Sequence, residues 1–426
     1  MSITPPKGVL AVLEELKREG IHSFVVGGGV RDMLLGKAPK DWDVAAAAEV
    51  SKLSGVFPES RLIGEKYGVL RVERDGIAVD IASMRIDGRY SDHRRPDEVI
   101  LTDNIEEDLA RRDFTMNGIA YSPEEGLIDP FDGQRDITAR MVRAIGKSED
   151  RFVEDPLRIL RALRFCAQLG FDIALETFTS MQKTVGLLKH ISVERKREEF
   201  DRLLVGSYAG KALRMCVAAG VMPFLLGDDY PPKGEREEQN FAVLMKNLDR
   251  ANALPEVRRT MFFCCIEKHK ALQAAKRLGI EGESLKRLAR DIGILRELLL
   301  AEDREEIKTL ASPLGRKEAE EVRKIMEEYV NVFGEANPLA ESRLQLLSDI
   351  LESGEPVFLQ DLAVNGEDLL AAGFPEGREI GELLDRLLKK VHRDPKNNEK
   401  EKLIKSILPT PPTWRERFFG NDKNRR

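Results

Sequence analysis

The chain has 426 residues, with 68 Lys and Arg against 74 Asp and Glu, a formal net charge of −6 and 42% hydrophobic residues. That apolar content excludes a disordered chain, and the length suits two to four domains of roughly 100–200 residues each. No run of about 18 uncharged apolar residues exists, so no helix is expected to cross a membrane. The opening residues show no basic stretch leading into an apolar one, hence no signal peptide is expected. Four cysteines, Cys166, Cys216, Cys264 and Cys265, include no C-x-x-C pair, which argues against a zinc site or disulfide framework and for a reduced cytoplasm. A pI near 5.7 lowers the expectation of a nucleic-acid partner without excluding one, since binding needs only a local basic stripe.

In chain order, Val9 to Arg18 reads as an amphipathic helix with Val9, Leu13 and Leu16 on one face. A β-branched run, Ser23 to Val26, ends in Gly27-Gly28-Gly29 and is followed by helical spacing from Val30 to Leu35. Trp42 to Ala45 reads as a strand and Ala46 to Leu53 as a helix. Val69 to Arg74 and Ile77 to Met84 read as strands around an Arg74-Asp75-Gly76 turn, and Pro130 to Gly133 as a loop. Beyond Asp150 strand signals fade and helices dominate. They are expected at Asp155–Leu169, Glu194–Val205, Glu237–Arg250, Glu256–Lys268, Leu285–Leu300, Lys317–Val332, Ala340–Glu352, Gly366–Gly381 and Ile380–Val391. Pro231-Pro232-Lys233-Gly234 marks a break, and the tail from Pro409 reads as frayed. The five scattered histidines read as surface residues.

Several strings carry chemistry. Gly27-Gly28-Gly29-Val30-Arg31-Asp32 fits a phosphate cradle with Arg31 one turn into the helix, and equally a plain strand–helix turn. In Asp41-Trp42-Asp43, strand alternation points both carboxylates one way. Paired carboxylates repel unless a cation lies between them, and hard oxygen donors suit Mg²⁺. Two such ions can clamp a triphosphate for in-line displacement, although two acids in a solvated loop fit as well. Asp80, in the strand Val79-Asp80-Ile81-Ala82, needs a partner or a metal; Arg71 and Arg85 are candidates.

A Gly-Gly turn with Arg and an Asp-x-Asp strand about a dozen residues later resemble the DNA polymerase β-like nucleotidyltransferases. The full string from Gly27 to Ala45 is similar to the first motif of the class II tRNA nucleotidyltransferases (CCA-adding enzymes) and bacterial poly(A) polymerases. The resemblance implies that Gly28 and Arg31 hold a triphosphate, and that Asp41 and Asp43 are catalytic and bind two Mg²⁺ ions. Arg111 to Asn117 resembles a second motif, implying Arg112 on phosphate and Asp113 and Asn117 on the ribose. Asp129 to Asp136 resembles a third, read as a structural loop in which a glycine permits a hinge. Glu154-Asp155-Pro156-Leu157-Arg158 is similar to the motif that selects CTP and ATP. On a helix Asp155 and Arg158 share a face, where an acid and an arginine can imitate the pairing edge of a base; an ordinary intrahelical ion pair also fits. Arg161 and Arg164 continue that face as phosphate contacts. Glu194, Arg195, Glu198 and Glu199 are similar to the last motif and read as a brace for the base-reading helix.

The resemblance implies an α+β head at 1–145, then an all-α neck at 146–230, body at 231–340 and tail at 341–426. It implies template-independent addition of CCA to tRNA from CTP and ATP, releasing pyrophosphate. Gly64 to Gly68 follows the tRNA-enzyme pattern rather than that of poly(A) polymerases, and Arg85 to Leu109 resembles the complete loop that CC-only enzymes lack. An A-only enzyme with a separate CC-adding partner is the alternative; a poly(A) polymerase or a non-catalytic tRNA-binding protein fits less well. The stretch Leu362–Leu369 with Gly373–Gly377 resembles the family's tRNA-gripping tail, with Lys389, Lys390, Lys396, Lys400 and Lys402 as a basic edge.

Overall fold

The computed structural model describes residues 4–63, 68–90 and 96–408. The described chain forms two compact units, 1–285 and 286–426.

The first unit opens with helix α1 (Lys7–Arg18) and a seven-stranded sheet. Its strands are β1 (Ser23–Val26), β2 (Trp42–Ala46), β3 (Arg61–Ile63), β4 (Val69–Arg74) and β5 (Ile77–Ser83), with two more after a separate hairpin of β6 (Arg85–Asp87) and β7 (Val99–Leu101). Those last two are β8 (Ala120–Ser122) and β9 (Gly126–Ile128), giving the order β3-β4-β5-β2-β1-β8-β9. Only β2 and β5 run parallel; the other neighbours in this sheet are antiparallel. One face of the sheet carries Val25, Trp42, Val44, Leu70, Val72, Val79 and Ile81, all buried, and α1 packs there with Val9, Val12, Leu13 and Leu16. The other face is apolar over Phe24, Val26, Ala45 and Ala120, where Ile105 and Leu109 of α4 (Ile105–Ala110) cover it. Farther along the strands this face carries Asp43, Asp80 and Arg71.

Between these strands lie α2 (Gly28–Leu34) and α3 (Val50–Val56). The helix expected over Ala46 to Leu53 starts later, because Ala45 and Ala46 pair with Phe24 and Ser23. Alanine's helix propensity is a weak preference that a neighbouring strand overrides.

After β9 come α5 (Gly133–Thr138), α6 (Ser148–Glu154), α7 (Leu157–Leu169), α8 (Leu175–Thr184) and α9 (Val193–Leu204). Helix α7 is central: every residue but Arg161 and Gln168 is buried, and it packs against α9. It starts at Leu157 rather than Asp155, because Pro156 disfavours helical torsions in the residue before it. Asp155 is accordingly extended, at φ −140° and ψ 98°. In the expected hinge loop, the left-handed torsion falls on Asp132 at φ 58°. Gly133 is needed for space instead: a Cβ there would sit 2.3 Å from the Thr115 carbonyl oxygen and 2.8 Å from Ile119. The expected helix Glu256–Lys268 is two, Pro255–Phe263 and Lys268–Arg277.

The second unit packs helices Arg304–Ala311, Gly315–Phe333 and Leu339–Glu352 around Ile307, Val322, Leu347 and Ile350. A further cluster of Val364, Leu369, Leu383, Leu387 and Leu403 joins its last helices. The single helix expected over Gly366–Gly381 is interrupted: Gly366–Ala371 ends before Gly373 and Gly377, both at positive φ, and Arg378–Arg393 begins afresh. His392 is buried rather than superficial, its Nε2 lying 2.9 Å from the Val357 carbonyl oxygen. Lys400 and Lys402 are ion-paired with Asp368 and Glu399, at 2.6 Å each. Residues 64–67 of the Gly64 to Gly68 reading, 91–95 of the expected loop and the tail from Pro409 lie outside the described residues.

Replacing Gly133 with Ala is expected to destabilise the first unit by about 1–3 kcal/mol, since a backbone carbonyl cannot yield as a flexible side chain can. Urea unfolding followed by circular dichroism measures this; an unchanged midpoint would refute the packing argument.

Candidate active site

The acids of the sheet lie in one row. Val26 of β1 is the register partner of Asp43 on β2, Asp43 of Asp80 on β5, and Asp80 of Arg71 on β4. Register partners share a face of the sheet, so Asp43, Asp80 and Arg71 project together. Asp41 directly precedes β2, and buried Trp42 separates it from Asp43, so the two carboxylates point away from the core as alternation requires. Asp80 is partly exposed, not buried, and accepts from Arg71 Nε and Nη2 at 2.7 Å each. Asp43 is open to the cleft, yet the walls around it limit its hydration and, with the charges of Asp80 and Asp41, raise its carboxyl above the ordinary range, opposed by Arg112.

Gly27 joins β1 to α2 at φ 73°, a torsion glycine accepts readily. A Cβ there would lie 3.0 Å from Arg112 Nη1 and 3.6 Å from Asp43 Oδ2, so the bare backbone lets both side chains approach the turn. Arg112 donates to Asp108 at 3.1 Å, while its buried Nε has no hydrogen-bond partner among the described residues.

A chain of polar contacts then crosses from α2 to α7. Arg31 is buried; Nη1 donates to Asn117 Oδ1 at 2.8 Å, and Nε and Nη2 donate to Asp32 at 2.9 and 2.7 Å. Of the five guanidinium N–H groups, two remain available. Asn117 Nδ2 donates to Asp113 Oδ1 at 3.0 Å, and the Phe114 amide donates to the same oxygen. Asp113 Oδ2 takes Arg161 Nε and Nη2 at 2.8 and 2.6 Å. The Asp113 carboxylate is therefore fully engaged within the protein, so a ribose hydroxyl must displace a partner to reach it. Burial works against its charge, yet Arg161 and Asn117 hold its carboxyl down at about 2.

Asp155 and Arg158 both line the cleft but engage different partners. Asp155 accepts from the Leu157 amide and from Arg195 Nη2, at 3.1 and 3.0 Å. Arg158 donates to Glu154 at 2.7 Å and to the Arg111 carbonyl at 3.0 Å. Arg164 pairs with Glu199 at 2.7 Å; burial pulls its guanidinium down to about 10, with Glu199 opposing. Arg195 and Glu199 of α9 thus tie to the turn before α7 and to α7 itself. Arg31, Arg161 and Arg164 lie 5.1, 5.7 and 4.3 Å from the centre of the Phe165 ring, within cation–π range.

Gly28, Arg31, Asp41, Asp43, Arg112, Asp113, Asn117, Asp155, Arg158, Arg161 and Arg164 all line one cleft of roughly 1210 Å³. Sequence reasoning missed Phe165, whose signal was an aromatic ring one helical turn from Arg161 and beside Arg164. It also passed over Lys37 and Lys40, inside the first motif, and Arg202, all in the cleft wall.

The depressed Asp113 pKa has a consequence with a fixed sign. A carboxylate whose folded pKa of about 2 lies below its ordinary 3.8 stabilises the fold fully above about pH 4 and loses that contribution as pH falls through 2. In Asp113→Asn the unfolding free energy should lose about 2 kcal/mol of its dependence over that window. Urea titrations at stepped pH test this; a slope equal to wild type would remove Asp113 from the linkage.

Comparison with known proteins places this geometry. Residues 23–143 match the poly A polymerase head domain, and residues 170–228 match the probable RNA and SrmB- binding site of polymerase A. The CCA-adding enzyme of Geobacillus thermodenitrificans is 42% identical over 231 residues, and that stretch spans 54% of this chain and 57% of the relative. The CCA-adding enzyme of Anoxybacillus flavithermus is 30% identical over 408 residues, spanning 92% and 94%. Among solved structures, the Bacillus stearothermophilus CCA-adding enzyme in complex with CTP superposes with a TM-score of 0.68 at 28% identity, covering 95% of this chain and 97% of that one. The Thermotoga maritima CCA-adding enzyme complexed with tRNA shares the fold, with a TM-score of 0.69 at 22% identity and 96% coverage of each chain. With the head motifs gathered in one cleft and a relative aligned over nearly its whole length, the chain belongs to the CCA-adding enzyme family.

Proposed function

We propose that the protein adds C, C and A to the 3′ end of tRNA without a template, from CTP and ATP, and releases pyrophosphate. The observation that carries this reading is the single cleft that holds paired acids at one end and the arginine-rich α7 at the other. The ligands of two relatives, CTP and tRNA, support the same substrates.

In the proposed reaction the terminal 3′-hydroxyl forms a new P–O bond at the α-phosphorus and the α–β bridging P–O bond breaks. Gly28, the two available N–H groups of Arg31 and Nη1 of Arg112, which lies beside the Gly27 turn, bind the triphosphate. Asn117 and Asp113 flank the ribose, which meets Asp113 by displacing one of its present partners. Asp155 and Arg158 read the base by turning from Arg195 and Glu154, with Arg161 and Arg164 in support. C and A both present an exocyclic amine to an acid, whereas U and G present a carbonyl there.

Asp41 and Asp43 are the proposed ligands of two Mg²⁺ ions. Among the described residues no cluster of three or more His, Cys, Asp or Glu side chains forms a cage. Mg²⁺ is commonly held by one or two carboxylates completed by substrate phosphates, which this donor set fits. When bound, the metal lowers the pKa of the attacking hydroxyl and neutralises charge on the leaving phosphates. The proposed division of labour is head 1–145, neck 146–230 for base reading, body 231–340 and tail 341–426 for tRNA. The cytoplasm is the proposed location, in keeping with the four free cysteines.

Labelled CTP and ATP supplied to tRNAs ending before CCA, after C and after CC test the reading. CTP addition to the first two and a single A on the third are expected. A on the third alone would make the protein an A-only enzyme, long A tails a poly(A) polymerase, and no incorporation a binding protein. Asp41→Ala with Asp43→Ala should lower turnover by at least about a thousandfold while CTP-independent folding is kept; surviving turnover would overturn the metal assignment.

A further inference from the structure

Helix α4 covers the sheet with Ile105 and Leu109, and it sets one acid, Asp108, among its buried residues. The Asp108 side chain is 1% exposed, and a carboxylate so enclosed needs donors. Oδ1 accepts from the Arg85 amide at 3.3 Å and from Arg111 Nε and Nη2 at 3.0 and 2.5 Å. Oδ2 accepts from Arg112 Nη2 at 3.1 Å. We propose that Asp108 is a positioning residue for nucleotide transfer, holding Arg112 off Asp43 so that its guanidinium stays at the Gly27 turn and open to a triphosphate. This rests on the nucleotidyltransferase reading above and adds to it a residue that acts only through another.

Two acids compete for one guanidinium. Arg112 Nη1 and Asp43 Oδ2 lie 3.0 and 3.6 Å from the point where a Gly27 Cβ would stand, so the two charges are close neighbours. The Arg112 charge already favours the ionised form of Asp43, against the limited hydration there. Unopposed, that attraction draws the guanidinium onto Asp43, where it neutralises a proposed Mg²⁺ ligand and leaves the turn without its cation. Asp108 supplies the opposing pull through the other terminal nitrogen, Nη2.

Asp108 suits that task because it cannot follow Arg112. Its other oxygen is committed to the Arg85 amide and to two nitrogens of Arg111. Burial opposes its charge, yet Arg112 and Arg111 hold its carboxyl below the ordinary range, so it stays ionised at neutral pH. The grip on Arg112 is one N–H···O bond at Nη2, which leaves both N–H groups of Nη1 for phosphate. A planar guanidinium can face an acid with one nitrogen and a phosphate with the next, which a lone ammonium cannot do. The bond to the Arg85 amide also ties α4 to β6, a role in the fold that needs no substrate, so a decisive measurement reads Arg112 rather than stability.

Equilibrium binding of CTP and of CMP, with Mg²⁺ and without tRNA, separates the two roles, because only CTP carries the β- and γ-phosphates. The proteins compared are wild type, Asp108→Asn, Arg112→Ala and the double variant, each checked for folding by circular dichroism. Asp108→Asn keeps the shape and removes the charge; it should weaken CTP about tenfold and CMP by less than about twofold. Arg112→Ala should weaken CTP at least as much, and the double variant should stay within about twofold of Arg112→Ala, the non-additivity of two residues that act as a unit. Equal losses for CTP and CMP, an unchanged CTP affinity in Asp108→Asn, or losses that multiply in the double variant would overturn the proposal. Arg112→Lys leaves Asp108 intact and decides the matter even if Asp108→Asn does not fold. It should weaken CTP about tenfold and CMP little, whereas wild-type CTP affinity would overturn the two-sided grip. A wild-type protein that binds CTP no more tightly than CMP and incorporates neither C nor A would instead overturn the functional reading, and this proposal with it.

Discussion

The site depends on one buried relay: Arg31 to Asn117 to Asp113 to Arg161. Its members come from α2, from the turn after α4 and from α7, with 86 residues between the first pair and 48 between the last. A buried carboxylate without partners would be strongly unfavourable, so each contact in the relay holds the next in place. The relay joins the sheet-borne half of the cleft to the helix-borne half, so in this structure the middle of the site carries the most internal contacts. The groups at its ends, Asp155 with Arg195 and Arg158 with Glu154, rest on single side-chain pairs that can exchange.

Phe165 explains how so many arginines share the space. Arg31, Arg161 and Arg164 all approach its ring, and Phe114 meets it edge-on at 5.8 Å. The π-face offers negative potential without a carboxylate's full charge, so it partly offsets mutual repulsion while leaving the guanidinium edges turned toward the cleft. Burial lowers the Arg164 guanidinium, and the like charge of Arg161 adds to that shift.

Much of this was readable along the chain wherever the signal is local. The Asp41-Trp42-Asp43 alternation, the turn between β4 and β5 and the apolar stripe of α1 each follow from the period of their element. Asp155 was misplaced on α7 because the helical spacing runs back through it, while the following proline enforces extended torsions. The ordinary intrahelical Asp155–Arg158 ion pair gives way to pairs with Arg195 and Glu154, while both residues still line the cleft. The row of Asp43, Asp80 and Arg71 was invisible, since it depends on which strands neighbour one another and in what register. Asp80 did announce its need for a partner, and Arg71 was among the candidates. The choice between Arg71 and Arg85 is set by the β4–β5 pairing, in which Arg71 stands directly opposite.

The pairing of the cleft's arginines with acids has a consequence for competition among ligands. Asp113 holds Arg161, Glu199 holds Arg164, Asp155 holds Arg195 and Glu154 holds Arg158. An anion that approaches Arg158, Arg161, Arg164 or Arg195 competes with the acid already paired there. In the proposed reaction a nucleotide engages several of these groups through one covalent framework, and after the first contact the rest occur at high effective concentration. On that reading the cleft is a chelate site that favours long ligands over their fragments. Scission of the α–β bond then divides one long ligand into two shorter ones, each with fewer contacts than the nucleotide had, so each leaves more readily than the intact triphosphate.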